Sequence, residues 1–187
     1  MGQAKQLLVL KGKTLLERAI DSTLLLRIPV VVVLGARSNQ IMTEIDTSQV
    51  TISINSDWRN GISSSIRNGI QSALKRVPGL SGALIILADQ PGITVDHLRS
   101  LMELGTSKGK MVATEYHGGL GVPAYFPAAY FEQLVTLSGD QGARSLLQKS
   151  RHLVVSIPFE PAALDIDTQQ DWINYLEGNP DIENSVN

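Results

Sequence analysis

The chain has 187 residues, 43% of them hydrophobic, which is enough for one full sheet-and-helix core. Its 16 basic residues balance 18 acidic ones for a net charge of −2, with no basic stripe of the kind that holds nucleic acid. The lack of cysteine excludes disulfides, thiolate catalysis and Cys-based zinc, and no run reaches the ~20 apolar residues of a membrane span. The three histidines, His97, His117 and His152, are too far apart to form a ligand-spaced pair. With no secretory signal at its start, the chain reads as a soluble cytoplasmic protein.

The chain opens on Met1-Gly-Gln-Ala-Lys-Gln-Leu-Leu-Val-Leu10 and passes almost directly into a helix, with no convincing strand before it. Leu15, Leu16, Ala19, Ile20, Thr23 and Leu24 recur at helical spacing, and Thr14 with Glu17 supplies a capping box at the start. Pro29–Gly35 is a β-branched run closed by Gly and predicts a buried strand. A polar helix over about Asn39–Ile45 follows. Val50–Ile54 then alternates strictly and predicts a strand less fully buried than its neighbours. Ile62, Ile66, Ile70 and Ala73 mark the next helix.

The run Gly82-Ala-Leu-Ile-Ile-Leu-Ala-Asp-Gln-Pro91 predicts a strand buried on both faces that ends at Asp89. After Pro91, the residues Val95, Leu98, Leu101 and Met102 mark a helix, with Asp96 placed for its N-terminal dipole. Strands are expected at Met111–Tyr116, Pro123–Phe126 and Leu153–Ile157, and helices at about Ala143–Lys149 and Gln169–Leu176. The alternation implies an α/β fold with helices on both faces of a mostly parallel sheet. Residues 1–177 read as a single domain and 178–187 as a polar tail.

Three familiar patterns fail. Gly12-Lys-Thr14 imitates a P-loop, but Leu7 stands where its first Gly should be. Gly119-Leu-Gly121 imitates a dinucleotide fingerprint, but Pro123 blocks the helix that must follow. Gly61-Ile-Ser63 lacks the second Gly of a nucleophile elbow.

Ligands of open α/β sheets gather beyond the carboxyl ends of the strands, which is where Asp89 lies. An Asp there also commonly caps the next turn. Asp165 and Asp167 sit at another expected strand end, before a helix that Thr168 would cap, and alternation puts both carboxylates on one side of an extended segment. Such acids near Asp89 suit magnesium, which uses one or two carboxylates plus phosphates and waters; the same acids also serve helix starts. The stretch Asn55–Gly69 crowds Asn55, Gly61, Ser63, Ser64 and Ser65 at a helix N-terminus, where free N–H groups suit an anionic or polar ligand. Trp58 can stack on a base or pack against the helix. In Gly139-Asp-Gln-Gly-Ala-Arg144, Asp140 is the natural helix cap, and Arg144 can grip an anion or pair with Asp140.

The order of these segments carries more than any one of them. Lys5-Gln-Leu-Leu, Val-Val-Val-Leu-Gly35, Asn55…Asp57-Trp58…Gly61-Ile-Ser-Ser, Leu87-Ala-Asp-Gln-Pro91, Gly121-Val-Pro123…Phe126, Gly139-Asp-Gln-Gly-Ala-Arg144 and Asp165-Ile-Asp-Thr168 together resemble the MobA-like nucleotidyltransferases, in the molybdenum-cofactor cytidylyltransferase branch. The resemblance runs from Met1 to about Leu176. It implies a three-layer α/β/α, Rossmann-like fold of the nucleotide-diphospho-sugar-transferase type. It also implies transfer of a nucleotidyl group, CMP favoured, from an NTP to a phosphate-bearing acceptor, with release of pyrophosphate. The implied acceptor is the pterin of molybdenum cofactor, with a molybdenum enzyme or its maturation factor as partner.

By the same resemblance Asp89 holds Mg2+, with Asp167 favoured over Asp165 as the second ligand. Lys5 neutralises phosphate, while Asn55, Gly61, Ser63 and Ser64 enclose the nucleotide. Gln90, Pro91, Asp140 and Arg144 face the acceptor. One departure stands out. The family's first strand and Gly-rich loop, of the type Leu-Ala-Ala-Gly-x-Ser-x-Arg-Met-Gly, have no counterpart, because Met1-Gly2 aligns with the last two residues of that motif. A start site placed too late is the favoured explanation, and this polypeptide is expected to turn over weakly or not at all. The alternative is an accessory protein that holds a nucleotide without catalysis.

Overall fold

The computed structural model describes residues 4–177; Met1, Gly2 and the expected tail lie outside them. After a 3-10 turn at Lys5–Leu7, two short strands, β1 (Val9–Leu10) and β2 (Lys13–Thr14), form an antiparallel hairpin. The Gly12-Lys-Thr14 imitation of a P-loop is the turn and second strand of this hairpin. Helix α1 (Leu15–Leu24) starts on the expected capping box: the Thr14 hydroxyl accepts from the Glu17 N–H at 3.1 Å, and the Glu17 carboxylate accepts from the Thr14 N–H at 2.8 Å.

Strand β3 (Val31–Leu34) pairs in parallel with β4 (Thr51–Ile54), and α2 (Ser38–Glu44) crosses between them. A 3-10 turn at Trp58–Asn60 leads into α3 (Ile62–Arg76), and β5 (Gly82–Ile85) follows. Helix α4 (Val95–Lys108) is capped by the Thr94 hydroxyl, which accepts from the His97 N–H at 3.3 Å. Strands β6 (Val112–Tyr116) and β7 (Gly119–Pro127) are joined by a turn at His117-Gly118 too tight for anything but an antiparallel pair. The short helix α5 (Phe131–Val135), absent from the sequence expectations, precedes α6 (Ala143–Lys149), β8 (Val155–Pro158) and α7 (Gln169–Glu177).

The strands form a β3–β4 pair and a four-stranded sheet of order β5-β7-β6-β8. The class is α/β as expected, but the larger sheet is mixed, because β7 runs antiparallel to both neighbours. Side-chain alternation clothes that sheet on both faces. Val112 and Tyr125 pack with Leu101 of α4, whereas Ala113, Ala124 and Phe126 pack with Ile66, Ile70, Phe131, Leu134 and Leu147 of α3, α5 and α6. The β3–β4 pair contributes Val32 and Leu34 to a second core with Leu16, Ile20 and Ile41. Among the described residues, no helix is long and apolar enough to cross a membrane.

Two expectations change here. The Gly82–Asp89 run is half-buried along its whole length rather than buried on both faces, β5 being an edge strand with only β7 hydrogen-bonded to it, and the strand ends at Ile85 rather than at Asp89, which lies in the loop that follows. Nor is Asp165–Asp167 a strand end: it is an irregular extended segment tied down by one backbone bond, from the Ile166 N–H to the Asp89 carbonyl at 3.0 Å.

Candidate functional site: a lysine among carboxylates

The bond from Ile166 to the Asp89 carbonyl brings two distant parts of the chain together. Ile166 is fully buried, flanked by half-buried Asp165 and exposed Asp167. Lys5, from the N-terminal 3-10 turn, completes the group: its ammonium lies 2.5 Å from Asp89 Oδ2 and 2.6 Å from Asp167 Oδ1. The Asp89 side chain is 15% exposed and that of Asp167 is 68% exposed, so the cluster is closed on the Asp89 side and open to solvent on the other. Burial opposes the charge on Lys5, but the hydrogen bonds and negative charges of Asp167 and Asp89 outweigh it and hold its pKa above the usual lysine value.

Asp165 sits deeper. Burial first, and then the charge of Asp89, push its carboxyl above the usual carboxylate range, against the pull of Gln90. Asp89 Oδ1 and Asp165 Oδ1 are both buried without a hydrogen-bond partner. Such orphaned anionic oxygens are costly and call for a donor or a cation. Among the described residues, no three acidic or histidine side chains are arranged as a complete metal cluster.

The other expected site residues fall in two places. Gln90 is buried: its amide Nε2 donates to the Ala162 carbonyl at 3.0 Å and the Val122 carbonyl at 3.3 Å, locking the segment after β5 to β7 and to the turn before Asp165. Pro91 is half-buried and lines a narrow cleft under α1 together with Leu15, Arg18 and Ala19. Asn55 is also buried and fully engaged. It donates to the Ser64 and Ser65 hydroxyls at 2.8 and 3.0 Å and accepts from the Asp57 N–H at 3.0 Å. The Ser64 hydroxyl in turn donates to the Gly61 carbonyl at 2.8 Å.

The expected open helix N-terminus is partly closed. The Ser63 N–H donates to the Gly139 carbonyl at 3.2 Å and the Ser64 N–H to the Gly61 carbonyl at 3.1 Å. Gly61 makes this contact possible: a Cβ there would strike the Gly139 carbonyl and lie 2.6 Å from Asp140 Oδ1. Asp140 does not cap α6, because Gly142 occupies the N-cap position and makes no side-chain cap; its carboxylate faces Gly61 instead. Arg144 makes no ion pair with Asp140, but reaches toward Gly119 and raises the positive potential at Tyr116.

Tyr116 is the residue that sequence reasoning missed. Its pKa is raised by burial and then by the charge of Asp165, and lowered by Arg144. The only available signal was Gly121, a glycine within a strand, which marks close approach of another group; a Cβ at Gly121 would strike the Tyr116 hydroxyl. Behind the site, the Thr114 hydroxyl donates to the Pro123 carbonyl at 2.6 Å, so its oxygen accepts from His97 Nε2–H at 2.8 Å. Burial pulls the His97 pKa down to about 4, which keeps that ring neutral. Trp58 packs its Cβ toward Gly35, with the Arg59 guanidinium 4.5 Å above its ring.

Known proteins resemble this chain in sequence and, where solved, in fold. The chain is 29% identical to the purine catabolism protein PucB of Bacillus subtilis, an alignment covering 92% of this chain and 87% of that one. It is 26% identical to the molybdenum cofactor cytidylyltransferase of Escherichia coli, over 95% of this chain and 89% of that one. The crystal structure of Mycobacterium tuberculosis Rv0371C in complex with manganese superposes with a TM-score of 0.77 at 25% identity, covering 94% of this chain and 93% of that one. Residues 1–154 match the model of the MobA-like NTP transferase domain. The chain therefore belongs to the MobA-like NTP transferase family and is a protein of the nucleotidyltransferase type.

Proposed function

We propose that this protein moves a cytidylyl group from CTP to a phosphate-bearing pterin acceptor, molybdenum cofactor or its metal-free precursor, in the cytoplasm and with Mg2+. The observation that carries the reading is the convergence of Lys5, Asp89, Asp165 and Asp167 with two carboxylate oxygens left unpartnered. Hard carboxylate oxygens suit magnesium, and the lack of a complete protein cage matches an ion that takes its remaining ligands from phosphate and water. Asp89 would hold the ion with Asp165 or Asp167. When bound, the ion neutralises charge on the phosphoryl oxygens. The likeness to a cytidylyltransferase and to a protein solved with manganese supports this choice of chemistry.

An acceptor phosphate oxygen attacks the α-phosphorus of the nucleotide, the bond to the bridging oxygen of the β-phosphate breaks, and pyrophosphate leaves. Such a transfer needs positioning and charge neutralisation rather than a protein nucleophile. Lys5 supplies positive charge to the phosphates. Gly61 and the Asn55–Ser64 latch shape the nucleotide side, and Arg144, Asp140, Gln90 and Pro91 serve the acceptor side. A molybdenum enzyme or its maturation factor is the natural recipient of the product.

Pyrophosphate release is measured with CTP or GTP, Mg2+ and molybdenum cofactor, alongside equilibrium binding of each nucleotide. Asp89→Asn is expected to abolish release while the circular dichroism spectrum stays unchanged. Binding of a nucleotide without release, both by this chain and by a form extended upstream through the Gly-rich loop, supports the accessory role instead. Failure to bind any nucleotide with Mg2+ overturns both.

A further inference from the structure

Lys5 does something in this structure that charge neutralisation of a phosphate does not require. Its ammonium is shared between two carboxylates, at 2.5 and 2.6 Å, in the place where a cation bridging Asp89 and Asp167 would sit. Two of the three acids gathered here, Asp89 and Asp167, share this one ammonium, while Asp165 keeps a buried oxygen without a partner. Without a counter-ion the group would be held together against its own charge. Lysine fits this position, being a compact point charge on a flexible stem. Its backbone is lightly held, because Lys5 sits in a three-residue 3-10 turn closed by Leu8 N–H to Lys5 carbonyl at 3.1 Å, outside any strand ladder.

The fit is incomplete in an informative way. The ammonium satisfies one oxygen of Asp89 and one of Asp167, and leaves Asp89 Oδ1 and Asp165 Oδ1 buried and unpartnered. A divalent ion with several open coordination positions satisfies more of these oxygens than one lysine does. We propose that Lys5 is a built-in counter-ion that keeps the metal seat closed in the nucleotide-free protein, and that the incoming metal–triphosphate complex draws it off the carboxylates onto phosphate. The proposal rests on the metal-dependent reading above. It adds that free metal binds weakly and that metal and nucleotide enter together.

Binding of Mn2+ is followed by the electron paramagnetic resonance of the free ion, with the intact chain, Lys5→Met and Lys5→Arg, each with and without a non-hydrolysable CTP analogue. Without nucleotide, Lys5→Met should bind Mn2+ on the order of tenfold more tightly than the unmodified chain, the change expected when a charge-assisted competitor is removed. Lys5→Arg, which keeps the charge, should not gain affinity. With the analogue present the advantage of Lys5→Met should vanish. Equal Mn2+ affinity of Lys5→Met and the unmodified chain without nucleotide overturns the counter-ion role and leaves the metal site standing. No Mn2+ binding by any form, with or without analogue, overturns both. A second measurement needs no variant: the Lys5 Nζ resonance should move when Mg2+ and the analogue are added together, and an unmoved resonance overturns the proposal.

Discussion

Gly61→Ala tests whether the Gly139–Asp140 loop is held against the start of α3 by backbone contact. Gly61 has φ +87° and ψ 177°, a conformation open essentially to glycine alone, which costs another residue about 1–3 kcal/mol. The new methyl would also strike the Gly139 carbonyl and crowd Asp140 Oδ1 at 2.6 Å, backbone and carboxylate that cannot both retreat without breaking the Ser63 N–H to Gly139 bond. Losing that bond adds about 1 kcal/mol. The expected cost is about 2–4 kcal/mol, or a fall in Tm on the order of 10 °C for a domain of this size.

The control is Gly79→Ala. Gly79 also has a positive φ, +74°, but a Cβ there meets nothing within 4 Å, so only the backbone penalty of about 1 kcal/mol remains. Urea denaturation of both variants measures the difference. If Gly61→Ala costs no more than Gly79→Ala, the loop is not braced on α3, and the account of the partly closed helix N-terminus fails.

Two other expectations concern the frame of the site. The buried, neutral His97 binds a proton less readily in the folded state, with its pKa near 4, than in the unfolded chain at 6.5. Its contribution is therefore complete above pH 6.5 and is lost as pH falls toward 4, at up to about 1.4 kcal/mol per pH unit; urea midpoints between pH 7 and 5 measure the slope, and an imidazole that titrates near 6.5 by NMR contradicts it. Thr14→Ala removes the hydroxyl half of the α1 capping box and should cost about 1 kcal/mol, seen as a lower urea midpoint at constant m-value.

Much of the fold was legible because its signals are local. The Thr14–Glu17 box, the helical spacing of Ile62, Ile66 and Ile70, and the β-branched run before Gly35 each specify an element through contacts a few residues apart. Helix α6 begins and ends where its pattern does. What failed was pairing. The apolarity of Gly82–Asp89 records how buried such a strand wants to be, not how many neighbours it has, and here it has one. The direction of β7 depended on a turn at His117-Gly118 whose tightness no periodicity reports.

The candidate site divides in the same way. The carboxylates Asp89, Asp165 and Asp167 stood out by their places after apolar runs, whereas Lys5 was singled out only by the family resemblance that the order of the motifs carries. The sequence alone could not say that Asn55 donates to both Ser64 and Ser65, that Asp140 turns to Gly61 rather than to its own helix, or that Tyr116 feels the charges of both Asp165 and Arg144. Those are relations between groups on different elements, from nine residues apart for Asn55 and Ser64 to far longer separations for the others, and they are set once the elements have packed. The sequence determined which charges reach the end of the sheet. Only the tertiary structure decided that Lys5, 84 positions from Asp89 and 162 from Asp167, sits between them, because the Ile166 bond to the Asp89 carbonyl brings the two carboxylates together within reach of its ammonium.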